Sequence, residues 1–283
     1  MAGALAATSA RAVVGANPVA DVGAIALVQA PNHGQPPPHA ALPGETLVPV
    51  GPPDAILSLE IVDAAAPCGT VFLLHGIRDS KGSLLRVAER FAAAGYRAVL
   101  VDSRGHGRSS GDALTYGVQE SKDLVQLLNA LEGSGHVMGE VGVFGFSYGA
   151  GTALQWAARD PRVRAVVAVS PFASLREVVP GYLHLPLPAV FAQRAVDRAG
   201  ERGGFDPDEA SPLAAIGTTK AAVLLVHGKK DWKIPVSHSE RLFARARGRA
   251  ELAVLPNGAH DDLVTSRGAE VAERAVAWFE GRM

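Results

Sequence analysis

Seven short apolar runs recur along this chain with helix-length stretches between them: Ala55–Val62, Thr70–Leu74, Ala98–Val101, Val141–Phe146, Val163–Val169, Ala222–Val226 and Leu252–Leu255. Several are unbroken where a half-buried strand would alternate. A strand that is apolar on both sides must be covered on both faces, which is the situation of a parallel sheet between two layers of helices. The intervening stretches have the matching period. Val118, Leu124, Val125, Leu128 and Leu131 fall on one helical stripe, and Leu84, Val87, Ala88 and Phe91 on another that closes at Gly95. Strand and helix in repeated alternation predict an α/β fold with helices on both faces of a mostly parallel, twisted sheet. No internal repeat is present.

Composition narrows the function classes. Hydrophobic residues make up 48% of the 283 and charged residues 19%, below the usual charged share of about 25%, which excludes a largely disordered chain. Lys and Arg (27) nearly cancel Asp and Glu (28) to a net charge of -1, so no global field attracts nucleic acid or an anionic bilayer. The single cysteine, Cys68, cannot close an internal disulfide, and no Cys/His cluster has zinc spacing, so no metal is expected. No run reaches the roughly 18 uninterrupted apolar residues of a membrane span, because Arg11, Asn17, Pro18 and Asp21 break the N-terminal Ala/Val stretch. The first basic residue is Arg11, after a weakly apolar run, which is not the order of a secretory leader. The expected location is cytoplasmic.

Three segments follow from these patterns. Residues 1–45 are Ala-rich and then Pro-rich (Pro31, Pro36, Pro37, Pro38, Pro43), an extension predicted to form a short helix and a surface linker away from catalysis. Residues 46–283 hold the α/β domain. Within it, residues 171–216 break the alternation with Pro180, Pro186, Pro188, an apolar run from Tyr182 to Leu187 and a polar stretch from Arg198 to Glu209. This interval is predicted to be a small insertion. Ligands of open α/β sheets bind beyond the carboxyl ends of the strands, so an insertion leaving a strand end is placed to cover a site.

Chemistry is concentrated at those strand ends. Gly145-Phe146-Ser147-Tyr148-Gly149 follows the run Val141–Phe144 directly and precedes a helical stretch. A serine on so tight a turn needs glycines two residues to either side, and it stands at the positive end of the next helix. The simpler alternative is a structural glycine turn with an ordinary capping serine. A hydroxyl becomes a nucleophile only with a base and an orienting group. The run Ala222–Val226 ends in His227-Gly228-Lys229-Lys230-Asp231, and Leu252–Leu255 ends in Pro256-Asn257-Gly258-Ala259-His260. Asp231 is therefore the expected acid and His260 the expected base, since each follows its own strand on the same side of the sheet. Asp206, Asp208 and Glu209 are rival acids, but they lie in the insertion. Acyl transfer also needs donors for an oxyanion, and the backbone N–H groups of Tyr148 and of Ile77, after His75-Gly76, are placed for it. His75 and His227, each before a turn glycine, read as loop supports.

These blocks, together with Asp102-Ser103-Arg104-Gly105-His106-Gly107-Arg108-Ser109, resemble the α/β-hydrolase superfamily over about residues 46–283. The chain is most similar to its esterase and serine-aminopeptidase-like branch with a short cap. The resemblance implies the α/β-hydrolase fold, Ser147 as nucleophile, Asp231 and His260 as its partners, and Ile77 and Tyr148 as oxyanion donors. It also implies a structural role for Arg104.

The expected activity is hydrolysis of carboxylic esters of small to medium acyl groups, on a small-molecule substrate and without a cofactor. Tyr182, Leu183, Leu185, Leu187, Phe191 and Trp232 are candidates for the substrate wall, with packing of the insertion as the alternative. The triad would serve a peptidase, amidase or thioesterase equally, with Asp206, Asp208 and Glu209 as candidates to hold a free amine. Outside enzymes, the same scaffold can act as a catalytically silent binding protein. The sequence carries no signal for oligomeric state.

Overall fold

The apolar runs lie side by side in one eight-stranded sheet, and their two sides face two different cores. The structure, a computed structural model, describes residues 18–33, 40–182 and 189–283. The chain forms α1 (Pro18–Val28), β1 (Glu45–Val50), β2 (Ala55–Val62), β3 (Gly69–Leu74), α2 (Leu85–Ala93), β4 (Tyr96–Val101), α3 (Glu120–Gly133), β5 (Glu140–Phe146), α4 (Tyr148–Arg159) and β6 (Val163–Val169). Then come α5 (Leu175–Tyr182), α6 (Ala189–Gly203), α7 (Pro212–Thr218), β7 (Ala222–Gly228), α8 (Ser237–Arg245), β8 (Ala250–Leu255) and α9 (Gly268–Glu280). The order across the sheet is β1-β2-β4-β3-β5-β6-β7-β8. Only the pairs β1 with β2 and β2 with β4 are antiparallel. This is the architecture of the α/β-hydrolase fold.

The central strands explain why the runs are unbroken. Every residue of β3 is buried. Val71 and Leu73 pack with Val87 and Phe91 of α2 and Val271 and Phe279 of α9. Phe72 and Leu74 pack on the opposite face with Leu124 and Leu128 of α3 and Leu154 and Trp156 of α4. The rings of Phe72 and Trp156 meet edge to face at 5.1 Å, a geometry favoured by the ring quadrupoles. Among the described residues no helix is long and apolar enough to cross a membrane.

Strand β1 has no run to announce it, because Glu45 and Pro49 interrupt its apolar residues. It is an edge strand, where a missing backbone N–H is tolerated, and its Glu45 is tied inward. Arg108 Nε donates to the Glu45 carboxylate at 2.7 Å and Ser58 Oγ at 2.5 Å. The Arg108 hydrogen bond outweighs burial and, with Ser58 and the Leu42 N–H, holds this carboxyl down to about 2.

Among the described residues, the interval after β6 holds α5, α6 and α7 and no strand. Part of the stretch read as polar, from Arg198, is the C-terminal portion of α6, whose buried side presents Ala192, Ala195, Val196, Ala199 and Gly200. Helix α1 lies against it: a Cβ on Gly23 would stand 3.1 Å from the Ala195 Cβ. A third apolar cluster joins Ala24, Leu27 and Val28 of α1 to Val178, Val179, Ala195 and Val196, above Leu114, Tyr116 and Tyr148.

Arg104 takes the structural position implied for it. Its Nε and one terminal nitrogen donate to the two oxygens of buried Asp123, each at 2.8 Å, and the same terminal nitrogen reaches Pro53 O at 2.8 Å. Removing one member of a buried pair leaves an uncompensated charge. Asp123→Ala is therefore expected to lower unfolding free energy by about 3–5 kcal/mol, while Lys122→Ala on the exposed side stays within about 0.5 kcal/mol. Urea unfolding of the two variants measures the difference, and equal midpoints would contradict the assignment.

Candidate active site

Between the end of β5 and the start of α4 stands a single residue, Ser147. Its φ of 53° lies in the left-handed region, which a side-chain-bearing residue holds only where its surroundings over-determine it. Those surroundings are backbone. Ser147 N–H donates to Val169 O at 2.8 Å, at the end of β6, and Gly149 N–H donates to His75 O at 3.1 Å, beyond β3. A Cβ on Gly149 would run into the carbonyl oxygens of Leu74 and His75, and one on Gly145 into the backbone of Gly149 and Ala150. The serine therefore stands at the N-terminal end of a helix of 12 residues, where negative charge is favoured.

The loops after β7 and β8 bring two more side chains to it. His260 Nε2 lies 3.0 Å from Ser147 Oγ, and His260 Nδ1 lies 2.6 Å from Asp231 Oδ2. All three residues are buried. Burial pushes the Asp231 carboxyl up, but hydrogen bonds from His227 and His260, the charge of His260 and the Ile234 N–H together hold it below the usual carboxylate range. An ionised carboxylate only accepts, so the proton sits on His260 Nδ1 and the Nε2 lone pair faces the serine hydroxyl. The acid is itself anchored. Ile234 N–H donates to Asp231 Oδ1 at 2.9 Å, and His227 Nε2 lies 2.8 Å from Ile234 O and 3.4 Å from Asp231 Oδ2. Since both of those oxygens accept, His227 Nε2 is protonated and its Nδ1 accepts from Ser239 Oγ at 2.7 Å.

On the other side of Ser147 is the loop after β3. Gly76 packs there because it has no side chain: a Cβ would be 3.1 Å from Phe146 Cδ1 and 3.8 Å from Ser147 Cβ. His75 spans the loop, with Nδ1 2.7 Å from Gly76 O and Nε2 accepting from Ser103 N–H at 3.1 Å. Burial pushes its imidazole below the ordinary value, which favours the neutral ring these bonds need. Tyr148, the first residue of α4, is pinned by its hydroxyl to Glu120 Oε1 at 2.7 Å, a carboxylate that also accepts from Thr115 and from the Gly117 N–H.

A narrow cleft opens onto Ser147 between Ile77 and Tyr148. Its remaining walls are Phe172, Val178 and Val179 from the insertion, Tyr116 and Ile234 from loops, and Leu27 from α1. A hydroxyl on an imidazole backed by a buried carboxylate, in an apolar cleft, is an arrangement suited to nucleophilic attack on a carbonyl.

Of the residues read from the sequence, Ser147, Asp231, His260, Ile77 and Tyr148 are brought together here. Phe191 is half-buried on α6 and Trp232 is 64% exposed, and neither lines this cleft. Leu183, Leu185 and Leu187 lie outside the described residues, as does the side chain of Tyr182. The rival acids lie elsewhere: Asp208 is paired with Arg176, and Asp206 and Glu209 border a separate polar cleft with Lys122 and Arg202. Leu27, Tyr116, Phe172, Val178, Val179 and Ile234 carried no local signal for the cleft. The left-handed φ of Tyr116, 55°, is a backbone feature that its sequence context does not announce.

Known proteins resemble this chain in sequence and in fold. A family model described as serine aminopeptidase, S33, matches residues 65–208, a segment that includes the loop after β3 and Ser147 and ends before Asp231 and His260. An uncharacterized protein of Bacillus subtilis, YqkD, is 32% identical over 203 residues, 68% of this chain and 64% of that protein, so the match spans under two thirds of its length. A monoacylglycerol lipase of Mycolicibacterium smegmatis is 28% identical over 254 residues, 75% of this chain and 88% of the lipase. An esterase from Pyrococcus furiosus shares the fold, with a TM-score of 0.69 at 23% identity, covering 87% of this chain and 97% of the esterase.

The left-handed conformation of Ser147 has a measurable consequence. Ser147→Gly and Ser147→Ala both remove the hydroxyl, but only glycine relieves the backbone. Strain of about 1–3 kcal/mol less the entropic penalty of glycine leaves Ser147→Gly the more stable of the two by about 1 kcal/mol. Thermal unfolding of both variants checks it, and the reverse order would mean that the turn is not strained.

Proposed function

We propose that this chain, which belongs to the serine aminopeptidase (S33) family of α/β-hydrolases, hydrolyses carboxylic esters through Ser147, His260 and Asp231. The observation that carries this reading is the relay of short contacts from Ser147 Oγ to His260 Nε2 (3.0 Å) and from His260 Nδ1 to Asp231 Oδ2 (2.6 Å). Ser147 Oγ attacks the acyl carbon while His260 Nε2 takes its proton. Asp231 stabilises the imidazolium that forms, and the backbone N–H groups of Ile77 and Tyr148 receive the oxyanion. His260 returns the proton to the departing alcohol, leaving an acyl-serine. Water activated by the same imidazole then releases the acid and restores the hydroxyl.

The apolar cleft favours an ester with a hydrocarbon acyl group over a peptide with a free amine. Among the described residues, no carboxylate lines that cleft to hold an ammonium group. The lipase relative points the same way. The cleft is narrow and its walls include Leu27, Val178 and Val179, in keeping with short to medium acyl groups. The family description favours an amide substrate as the second reading, and aminoacyl anilides assayed beside esters separate the two.

Ser147→Ala is expected to abolish both turnover and labelling by a fluorophosphonate probe; retained activity would end the reading. Asp231→Asn should lower kcat by orders of magnitude, about 10⁴ in the best-studied serine protease, whereas Asp208→Asn leaves it near wild type. Because Asp231 is held below the usual carboxylate range, a pH–rate profile is expected to show no loss of activity from its protonation near the ordinary carboxylate value of about 4.

The acyl series tests the pocket. Each buried methylene contributes about 0.8 kcal/mol until space runs out, so kcat/KM is expected to climb over the first carbons, peak between acetyl and hexanoyl, and then fall. A rise continuing to dodecanoyl would refute the short-chain assignment.

A further inference from the structure

One wall of the cleft at Ser147 comes from outside the α/β core. Leu27, near the end of α1, is 7% exposed and packs in one apolar cluster with Phe172, Val178 and Val179. The chain around it is tied down on several sides. Tyr116 Oη donates to Leu27 O at 2.8 Å, Leu114 N–H to Val28 O at 3.0 Å and Asn32 N–H to Gly105 O at 3.2 Å. Asn32 Nδ2 donates to Ser109 O at 2.6 Å. Ala30 sits against Gly105, where a Cβ would come within 2.9 Å of its own. On the far side the contact of Gly23 with Ala195 holds α1 to α6. This end of α1 is thus a fixed wall joined to both the core loops and the insertion.

The same bonds leave the cleft a carbon surface. The Tyr116 hydroxyl is spent on Leu27 O and the Tyr148 hydroxyl on Glu120, so the two phenols turn their rings and not their polar ends to a ligand. Beside them stand the aliphatic side chains of Leu27, Val178 and Val179. An alkyl chain attached to the carbonyl at Ser147 fits such walls, and how far it extends depends on the bulk of the side chains around it.

We propose that Leu27 sets the length of acyl chain accepted at Ser147, which makes the N-terminal helix a specificity element of the site. The inference rests on the reading of Ser147 as the nucleophile of an ester hydrolase. The test measures kcat/KM for p-nitrophenyl esters from acetyl to dodecanoyl on the full chain and compares the ratio of octanoyl to butyryl. In Leu27→Ala this ratio is expected to rise about fifteenfold, since each of two further buried methylenes is worth roughly fourfold. In Leu27→Phe it should fall. A ratio within one preparation is insensitive to the fraction of folded enzyme, and the two variants require opposite shifts. Ratios unchanged in both variants, or moved in the same direction, would overturn the proposal. Ser147→Ala assayed on the same esters keeps the two readings apart: turnover remaining there would refute the nucleophile, whereas an inactive Ser147→Ala with unchanged Leu27 ratios would refute only the role of Leu27.

Discussion

The absence of side chains at Gly145 and Gly149 is the condition on which this structure depends. With nothing at those positions, α4 starts one residue after β5 and its first turn lies against the carbonyls of Leu74 and His75. Ser147 is then held in a left-handed conformation by bonds made on both neighbouring strands. The hydrogen bond to Val169 comes from β6 and that of Gly149 goes to the loop after β3. A larger residue at either glycine would separate the helix from the sheet and move the hydroxyl with it. Because β3, β5, β7 and β8 run parallel, the loops at their carboxyl ends open on the same edge, and that edge is where Ile77, Ser147, Asp231 and His260 meet.

The polar side chains that shape the site, Asp231, His260, His75 and His227, are buried and hydrogen-bonded to partners that fix their orientation. Asp231 is held ionised by three donors, so its contact with His260 is also a decision about which imidazole nitrogen carries the proton. His75 and His227 occupy equivalent places before a turn glycine and each uses both ring nitrogens, His75 on Gly76 O and the Ser103 N–H, His227 on Ile234 O and the Ser239 hydroxyl. Arg104 and Asp123 lock the loop after β4 to α3. These pairs contribute definition more than net stability, since burying an ion pair offsets much of its Coulomb attraction with lost solvation.

The covering of the site is built from two distant parts of the chain. Helices α5 and α6 come from the insertion and α1 from the N-terminal extension, and they share one apolar cluster above Tyr116 and Tyr148. Helix α1 is apolar almost all round, with Val22 and Ile25 exposed and Ala24, Leu27 and Val28 buried. Its amphipathic pattern is therefore too faint to say which face turns inward, and its position is decided by the partners it meets.

What the sequence by itself determined was local or periodic. The unbroken runs required a sheet covered on both faces, and β6, from Val163 to Val169, begins and ends where its apolar run does. The spacing of Gly145, Ser147 and Gly149 required a strand-to-helix turn, and the positions of Asp231 and His260 just past two runs placed them on one edge of the sheet. Tertiary structure decided the rest. Edge strand β1 was illegible because Pro49 and Glu45 are acceptable only where one side needs no ladder. The polar residues from Arg198 became part of a helix because α6 can bury its alanines against α1. Leu27 reached the cleft through contacts between residues far apart in the chain, with Tyr116 and with the insertion. No periodicity or local motif records such contacts, since they depend on which surfaces remain uncovered once the sheet has formed.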